Sequence, residues 1–321
     1  MTRFQKELLP PTTQSKGFRG TQEQIPSKIE KISSAEEEVF KRLVPKFQAL
    51  RINMDEFEGV YRKEDIQRDK KSVGGKKDLF YGQDSPFQHR AQVLEALLAE
   101  QIELSDWFGE NATTVVPAEY DDLYNGVDLA IELPHDNETE GLTAGIDVTV
   151  SKGLSLTAKL FLIKSKIEKG ELTEMKYFVS ETDPDQRRRK KMPSIVIGVD
   201  PRTINELASL WLTVDRSKNP GQEADQIDRE MLRGQAREAQ QKLARHRAQV
   251  LVLKQIELQL EAFGNFARKK GHDRIAVEFE KLLLFVRKTL SKKTISKADE
   301  IANDSDDTFR AIRKNLEEYF S

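Results

Sequence analysis

The sequence predicts a mixed α/β protein whose C-terminal third is all helical. Three observations carry that reading. Short β-branched segments of strand length recur between residues 113 and 199, bounded by polar turns. Apolar stripes of helical period flank and interrupt them. After Asn219-Pro220-Gly221 the strand-like segments stop, and only helical periodicity continues to Tyr319.

Residues 1–35 are rich in Gln, Ser, Thr, Pro and Lys and are expected to form a leader outside the core. A helical and linker extension is expected over 36–80. Its helix starts at Ser34, where Ser34-Ala35-Glu36-Glu37 resembles a capping box and Val39, Leu43 and Phe47 recur at four-residue spacing. The charged stretch 62–77, with Gly74-Gly75, predicts a loop. The α/β domain spans 81–215. Pro86 suits the first turn of a helix running to about Phe108, with Val93, Leu94, Leu97, Leu98, Leu104 and Trp107 as its stripe and Gly109 as its stop. Strands are expected at 113–116, 127–133, 142–150, 175–179 and 194–199. A helix over 155–169 interrupts them, its stripe Leu156, Leu160, Ile163 and Ile167. A last helix follows Asp200-Pro201 and ends near Leu212. Over 222–321, helices at 224–269, 274–290 and 296–319 predict a bundle or hairpin.

Composition narrows the chemistry. Apolar residues make up 37% and charged residues 33%, so a core coexists with a heavily solvated surface, and a net charge of −2 argues against a wholesale polyanion binder. There is no cysteine, which removes disulfides, thiolate metal sites and thiol nucleophiles. The four histidines, His89, His135, His246 and His272, never fall at metal-ligand spacing. No stretch has the length and apolarity of a signal peptide or a membrane span, so a cytoplasmic protein with no membrane partner is expected.

The informative segment is 119–152. Alternation places Val127, Leu129, Ile131 and Leu133 on one face of the first strand, and Ile146, Val148 and Val150 on one face of the second. Asp128 and Asp147 point the other way. A hairpin across the polar loop 134–141 that pairs Leu133 with Leu142 sets Asp128 opposite Asp147, with β-carbons about 4.5–5.5 Å apart. Like charges in that position repel unless something cationic lies between them. A one-residue slip would bury the wrong residues, so parity is the firm part of the register. Two aspartates with free carboxylates meet the needs of Mg²⁺, or of Mn²⁺ in its place, which takes one or two carboxylates plus waters and substrate phosphate. Solvated residues on the open side of a half-buried hairpin are the plainer alternative.

This arrangement resembles the PD-(D/E)XK nuclease family over residues 86–200. The resemblance implies a restriction-endonuclease-like core, αβββαβ, with Asp128 at the place of the first motif aspartate and Asp147 at the second acid. Val127 stands where the family has proline, and Thr149 where it has lysine. Lysines of this family can migrate to the following helix, which points to Lys159, with Lys152 as second choice. The family's first helix often carries a glutamate, which points to Glu100 ahead of Glu95 because Glu100 lies nearer the expected stripe. The implied activity is metal-dependent hydrolysis of DNA or RNA. The basic run Arg187, Arg188, Arg189, Lys190 and Lys191 would hold the phosphate backbone. Asp121 and Asp122 are expected to shape the turn into the strand. Two other functions fit the same elements: a non-catalytic nucleic-acid or protein-binding module, and a structural protein that self-associates through its C-terminal helices.

Overall fold

Alternation over 127–133 and 142–150 becomes an antiparallel hairpin, β2 (Leu129–Leu133) and β3 (Leu142–Thr149), in which Leu133 pairs with Leu142 and Leu129 with Ile146. That is the expected register. The computed structural model describes residues 31–80, 85–133, 141–181, 187–218 and 226–320. Most of the expected leader, the hairpin loop 134–140 and the Asn219-Pro220-Gly221 boundary lie outside them. β1 (Thr113–Val115) adds antiparallel to β2, and β6 (Ser194–Gly198) adds parallel to β3, giving the order β1-β2-β3-β6. The fold is mixed α/β, as expected.

Helices α1 (Ser34–Arg42), α2 (Val44–Gln48), α3 (Lys63–Phe80) and α4 (Pro86–Leu104) precede the sheet. The capping box is real but one residue earlier than expected: Ser33 caps α1 and Glu36 is its third residue. The stretch expected as a loop is helix α3. Its buried stripe, Ile66, Asp69 and Val73, has helical spacing, but a carboxylate occupies the middle position. Asp69 accepts hydrogen bonds from Lys176 and from the Tyr177 hydroxyl, so a polar contact replaces the apolar signal.

Helix α5 (Leu154–Glu168) returns from β3 along the main core, burying Leu156, Leu160, Ile163 and Ile167. A second sheet, β4 (Thr173–Val179) with β5 (Arg187–Met192), packs Met175, Phe178 and Met192 against Val115, Val127 and Ala130. The basic run therefore lies on a strand. With this hairpin on one face and α4 and α5 on the other, β2 and β3 are buried on both faces. One facing differs from expectation: Val127 packs over Gly145 on the Ala130 side, away from Leu129. The ladder is irregular there, because the Val148 N–H donates to the Asp128 side chain and the Asp128 N–H to the Ile146 carbonyl.

Helices α6 (Pro201–Lys218), α7 (Gln226–Ala244), α8 (Ala248–Lys269), α9 (Asp273–Leu290), α10 (Lys297–Asp304) and α11 (Asp307–Tyr319) complete the chain. The single helix expected over 224–269 breaks at 245–247. There the buried Arg247 is held by Asn303 (3.1 Å), Thr203 (2.9 Å) and Glu206 (2.9 Å). The C-terminal helices pack on the sheet. Helix α8 runs beside the outer edge of β6 and inserts two buried glutamines into it. Gln259 accepts from the Val196 N–H (2.8 Å) and donates to its carbonyl (2.6 Å). Gln255 does the same at Gly198 (3.0 and 2.6 Å). The two amides satisfy the edge groups that a further strand would otherwise pair. Among the described residues no helix is long and apolar enough to cross a membrane.

Candidate active site

The irregularity where β2 begins is what brings the acids together. A π-helical turn over Asp121–Asn125 ends at Gly126, whose φ of 67° is left-handed, a conformation glycine adopts without cost. A β-carbon at Gly126 would come 3.4 Å from Asp147 Oδ2, so the turn passes directly over the Asp147 carboxylate. The neighbouring acids of the turn then divide. Asp121 is buried and accepts from the Lys176 N–H (2.6 Å), the Tyr177 N–H (2.9 Å) and Asn125 Nδ2 (2.6 Å), so it holds the turn to β4. Asp122 points to Asp128 and pairs with Arg51 at 2.7 Å.

Asp128 is the hub. Its Oδ2 accepts from the Val148 N–H at 2.7 Å, and its carboxyl lies within hydrogen-bond reach of both Asp122 and Asp147. Lys159 on α5 donates to Asp147 Oδ1 and to the Val148 carbonyl (2.8 Å). Glu95 on α4 completes the group. It is buried and interacts electrostatically with Asp128, Asp122, Arg51 and Lys159. Lys166, two turns along α5 from Lys159, stands at the margin on Asn125 O (3.3 Å) and Thr173 Oγ1 (3.2 Å).

Of the residues expected from sequence, Asp128, Asp147 and Lys159 come together. Glu100 does not. Its carboxyl bonds Trp211 on α6, five residues and about 140° around the helix from Glu95. Lys152 pairs with Asp307 at the start of α11. The first part of the basic run is occupied elsewhere, Arg187 with Glu56 (3.3 Å) and Arg189 with Glu174 (3.2 Å). Sequence reasoning preferred Glu100 over Glu95, and it did not single out Arg51 or Lys166. Glu95 had a readable signal, as the lone charge in the buried run Val93–Ala99. Arg51 had none.

No known family, curated protein or solved structure matches the chain. The chemistry of the site rests on its geometry.

Four carboxylates crowd against two cations, and their proton affinities show it. Burial and then Asp147 push the Asp128 carboxyl up to about 6. Burial and then Asp128 push Asp122 up to about 6. Glu95 is raised well above the usual carboxylate range by burial, Asp128 and Asp122, and Asp147 is raised by burial against the pull of Lys159. Burial works against the charge on Lys159, but Asp147 and Asp128 outweigh it and hold the ammonium protonated. Among the described residues no group of three or more acidic or histidine side chains is placed to hold a metal ion. The cluster's carboxylate oxygens are the donor type that a hard divalent cation takes, and negative charge is in excess there.

A stability effect follows from the Asp128 shift. A carboxyl raised from 3.8 to about 6 contributes stability that is complete below the unfolded pKa and lost as pH rises through the folded one. Asp128→Asn keeps an oxygen for the Val148 N–H and removes the repelled charge. Without divalent cations it is expected to raise unfolding stability by about 1–3 kcal/mol at pH 7.5 and by almost nothing at pH 4. Denaturant titration at both pH values checks this; a variant less stable than the parent at pH 7.5 contradicts it.

Proposed function

We propose that the cluster is the centre of a metal-dependent phosphodiester hydrolase acting on nucleic acid. The observation that carries the reading is the convergence of Asp128 and Asp147 with a charged lysine at hand, backed by Glu95 and by Asp122 under Arg51. Support for a PD-(D/E)XK-like core comes from the chain order. Helix α4, strands β1 to β3, helix α5 and strand β6 follow in sequence, with the β4–β5 hairpin inserted before the last.

Asp128 and Asp147 would hold Mg²⁺ or Mn²⁺, with Glu95 or Asp122 bonding its outer waters. An ion held there would supply an acidified water and offset charge on the phosphate. Lys159 keeps its proton, so it serves as a donor to a phosphate oxygen or to the attacking water and not as a base. Arg51 holds Asp122 in place beside Asp128. A non-catalytic module on the same fold is the rival reading, favoured by the direct contact of Lys159 with Asp147. It would give binding without turnover.

The test is hydrolysis of a small diester, bis(4-nitrophenyl) phosphate, with and without Mg²⁺ or Mn²⁺. Turnover is expected only with the divalent cation, reduced at least about a hundredfold by Asp147→Asn. Metal-independent hydrolysis, no hydrolysis with either ion, or full activity in both Asp128→Asn and Asp147→Asn removes the proposal.

A further inference from the structure

Two hollows lie side by side along α9. The larger, of 650 Å³, is lined by Lys281, Lys288, Lys292 and Lys293 together with Leu142, Leu284 and Phe285. The smaller, of 190 Å³, is lined by Lys190, Lys191 and again Lys281 and Leu142. The shared residues make them one continuous groove. Among the described residues its walls carry six lysines against three carboxylates, Asp106, Glu110 and Glu278, a net of three positive charges on a chain whose total is −2.

The placement follows from sequence. Lys281 and Lys288 are seven residues apart, which stacks them on one side of α9 with Leu284 and Phe285 between, and Lys292 lies in the turn just past the helix end. Lys190 and Lys191 lie at the C-terminal end of the basic strand, beside Pro193. The opposite wall is the 105–111 turn, where Asp106 (φ 49°) and Asn111 (φ 62°) are the non-glycine left-handed residues among those described. Lys293 is anchored on the Asp106 carbonyl at 2.7 Å, and burial lowers its hold on its proton. A nearby anion would relieve that.

We infer that this groove is a track for the phosphate backbone of a nucleic-acid strand, separate from the carboxylate cluster. Lys281 and Lys288 stand about 10 Å apart along α9, a spacing suited to repeated anionic groups and not to one small anion. The concave shape, with Leu284 and Phe285 on its floor, suits a strand lying lengthwise better than a flat lipid surface. From Leu142 in the groove, β3 runs about 17 Å to Asp147, so a strand held in the track is within a few nucleotides of the acids. The inference deepens the phosphodiesterase reading by assigning it a polymeric substrate, yet its test needs no catalysis.

Anisotropy of a fluorescent 20-nucleotide strand, titrated with the full chain in excess EDTA across a salt series, reads the interaction. Each lysine-to-phosphate contact contributes about 0.7 to the slope of log affinity against log salt for a single strand and about 0.9 for a duplex. The triple Lys281→Glu, Lys288→Glu, Lys292→Glu is expected to lower that slope by about 2 to 3 and affinity at 100 mM salt by at least tenfold. The matching triple to glutamine, free of new like-charge pairs, should give the same change in slope. A control of equal charge change, Lys41→Glu, Lys63→Glu, Lys242→Glu, should leave the slope unaltered. No binding by the parent chain, including a parent held only by phosphatidylserine vesicles, overturns the inference. So does equal weakening by groove and control triples. Diester hydrolysis would stand or fall independently.

Discussion

Lys159→Met is expected to cost the fold about 3 kcal/mol at pH 8 in EDTA, and most of that loss should return at pH 5. The lysine is the direct counter-ion of buried Asp147 and the cation that holds down Asp128, and it shares Glu95 with Arg51. With methionine in its place the aliphatic stem still packs beside Leu156 and Leu160, but four carboxylates face Arg51 alone. Asp122 and Asp128 already titrate near 6 with the lysine present. Its removal raises Asp128 further, and Asp147 and Glu95 with it. A raised carboxyl gives its full contribution to stability below the unfolded pKa and loses it as pH climbs through the folded one, so the penalty grows from pH 5 to pH 8. Mg²⁺ adds a second arm. If the cluster takes the ion, millimolar Mg²⁺ should stabilise the variant more than the parent, because the lysine no longer competes for Asp147. Denaturant melts at pH 5 and 8, with and without Mg²⁺, decide the matter. A loss of equal size at both pH values would mean that Lys159 contributes packing and not charge.

The parts of this site that sequence reveals are those carried by period. Strand alternation fixed the parity of the β2–β3 register, and pairing Leu133 with Leu142 across the loop, as the fold has it, set Asp128 towards Asp147, where the irregular start of β2 brings the two carboxyls together. Helical period marked the buried stripe of α5 and hence the flanking position of Lys159. Period says which residues share a face, but not which face meets which, and the choice between Glu95 and Glu100 turned on that. Polar contacts were the other blind spot. Asp69 broke the apolar stripe of α3 while being buried in its place, and five basic residues hid β5, of which only Met192 is buried in the core. Arg51 enters the site from beyond α2 through one ion pair with Asp122, a contact between residues distant in sequence with no local pattern to announce it.

Gln255 and Gln259 show the same blindness at its largest energetic scale. In sequence they are ordinary polar residues on a helix. In the fold they take the role of a missing strand, each amide pairing with both the N–H and the carbonyl of one residue on the edge of β6. Methionine has nearly the same length and helix preference but no polar head. Gln259→Met would leave the Val196 N–H and carbonyl buried without partners, at about 1–3 kcal/mol for each group. The double variant Gln255→Met, Gln259→Met orphans four such groups, an expected loss of about 4–12 kcal/mol, comparable to the whole stability of many domains. Exposed Gln241→Met should change stability by less than about 0.5 kcal/mol. Hydrogen exchange gives the site-specific check. In the Gln259→Met variant, the Val196 amide should lose protection before the Gly198 amide, which Gln255 still holds. Because β6 pairs with β3 at Asp147, loosening this edge is also expected to loosen the acids. Unaltered protection at Val196 would mean that the edge of β6 is held by something other than the glutamines of α8.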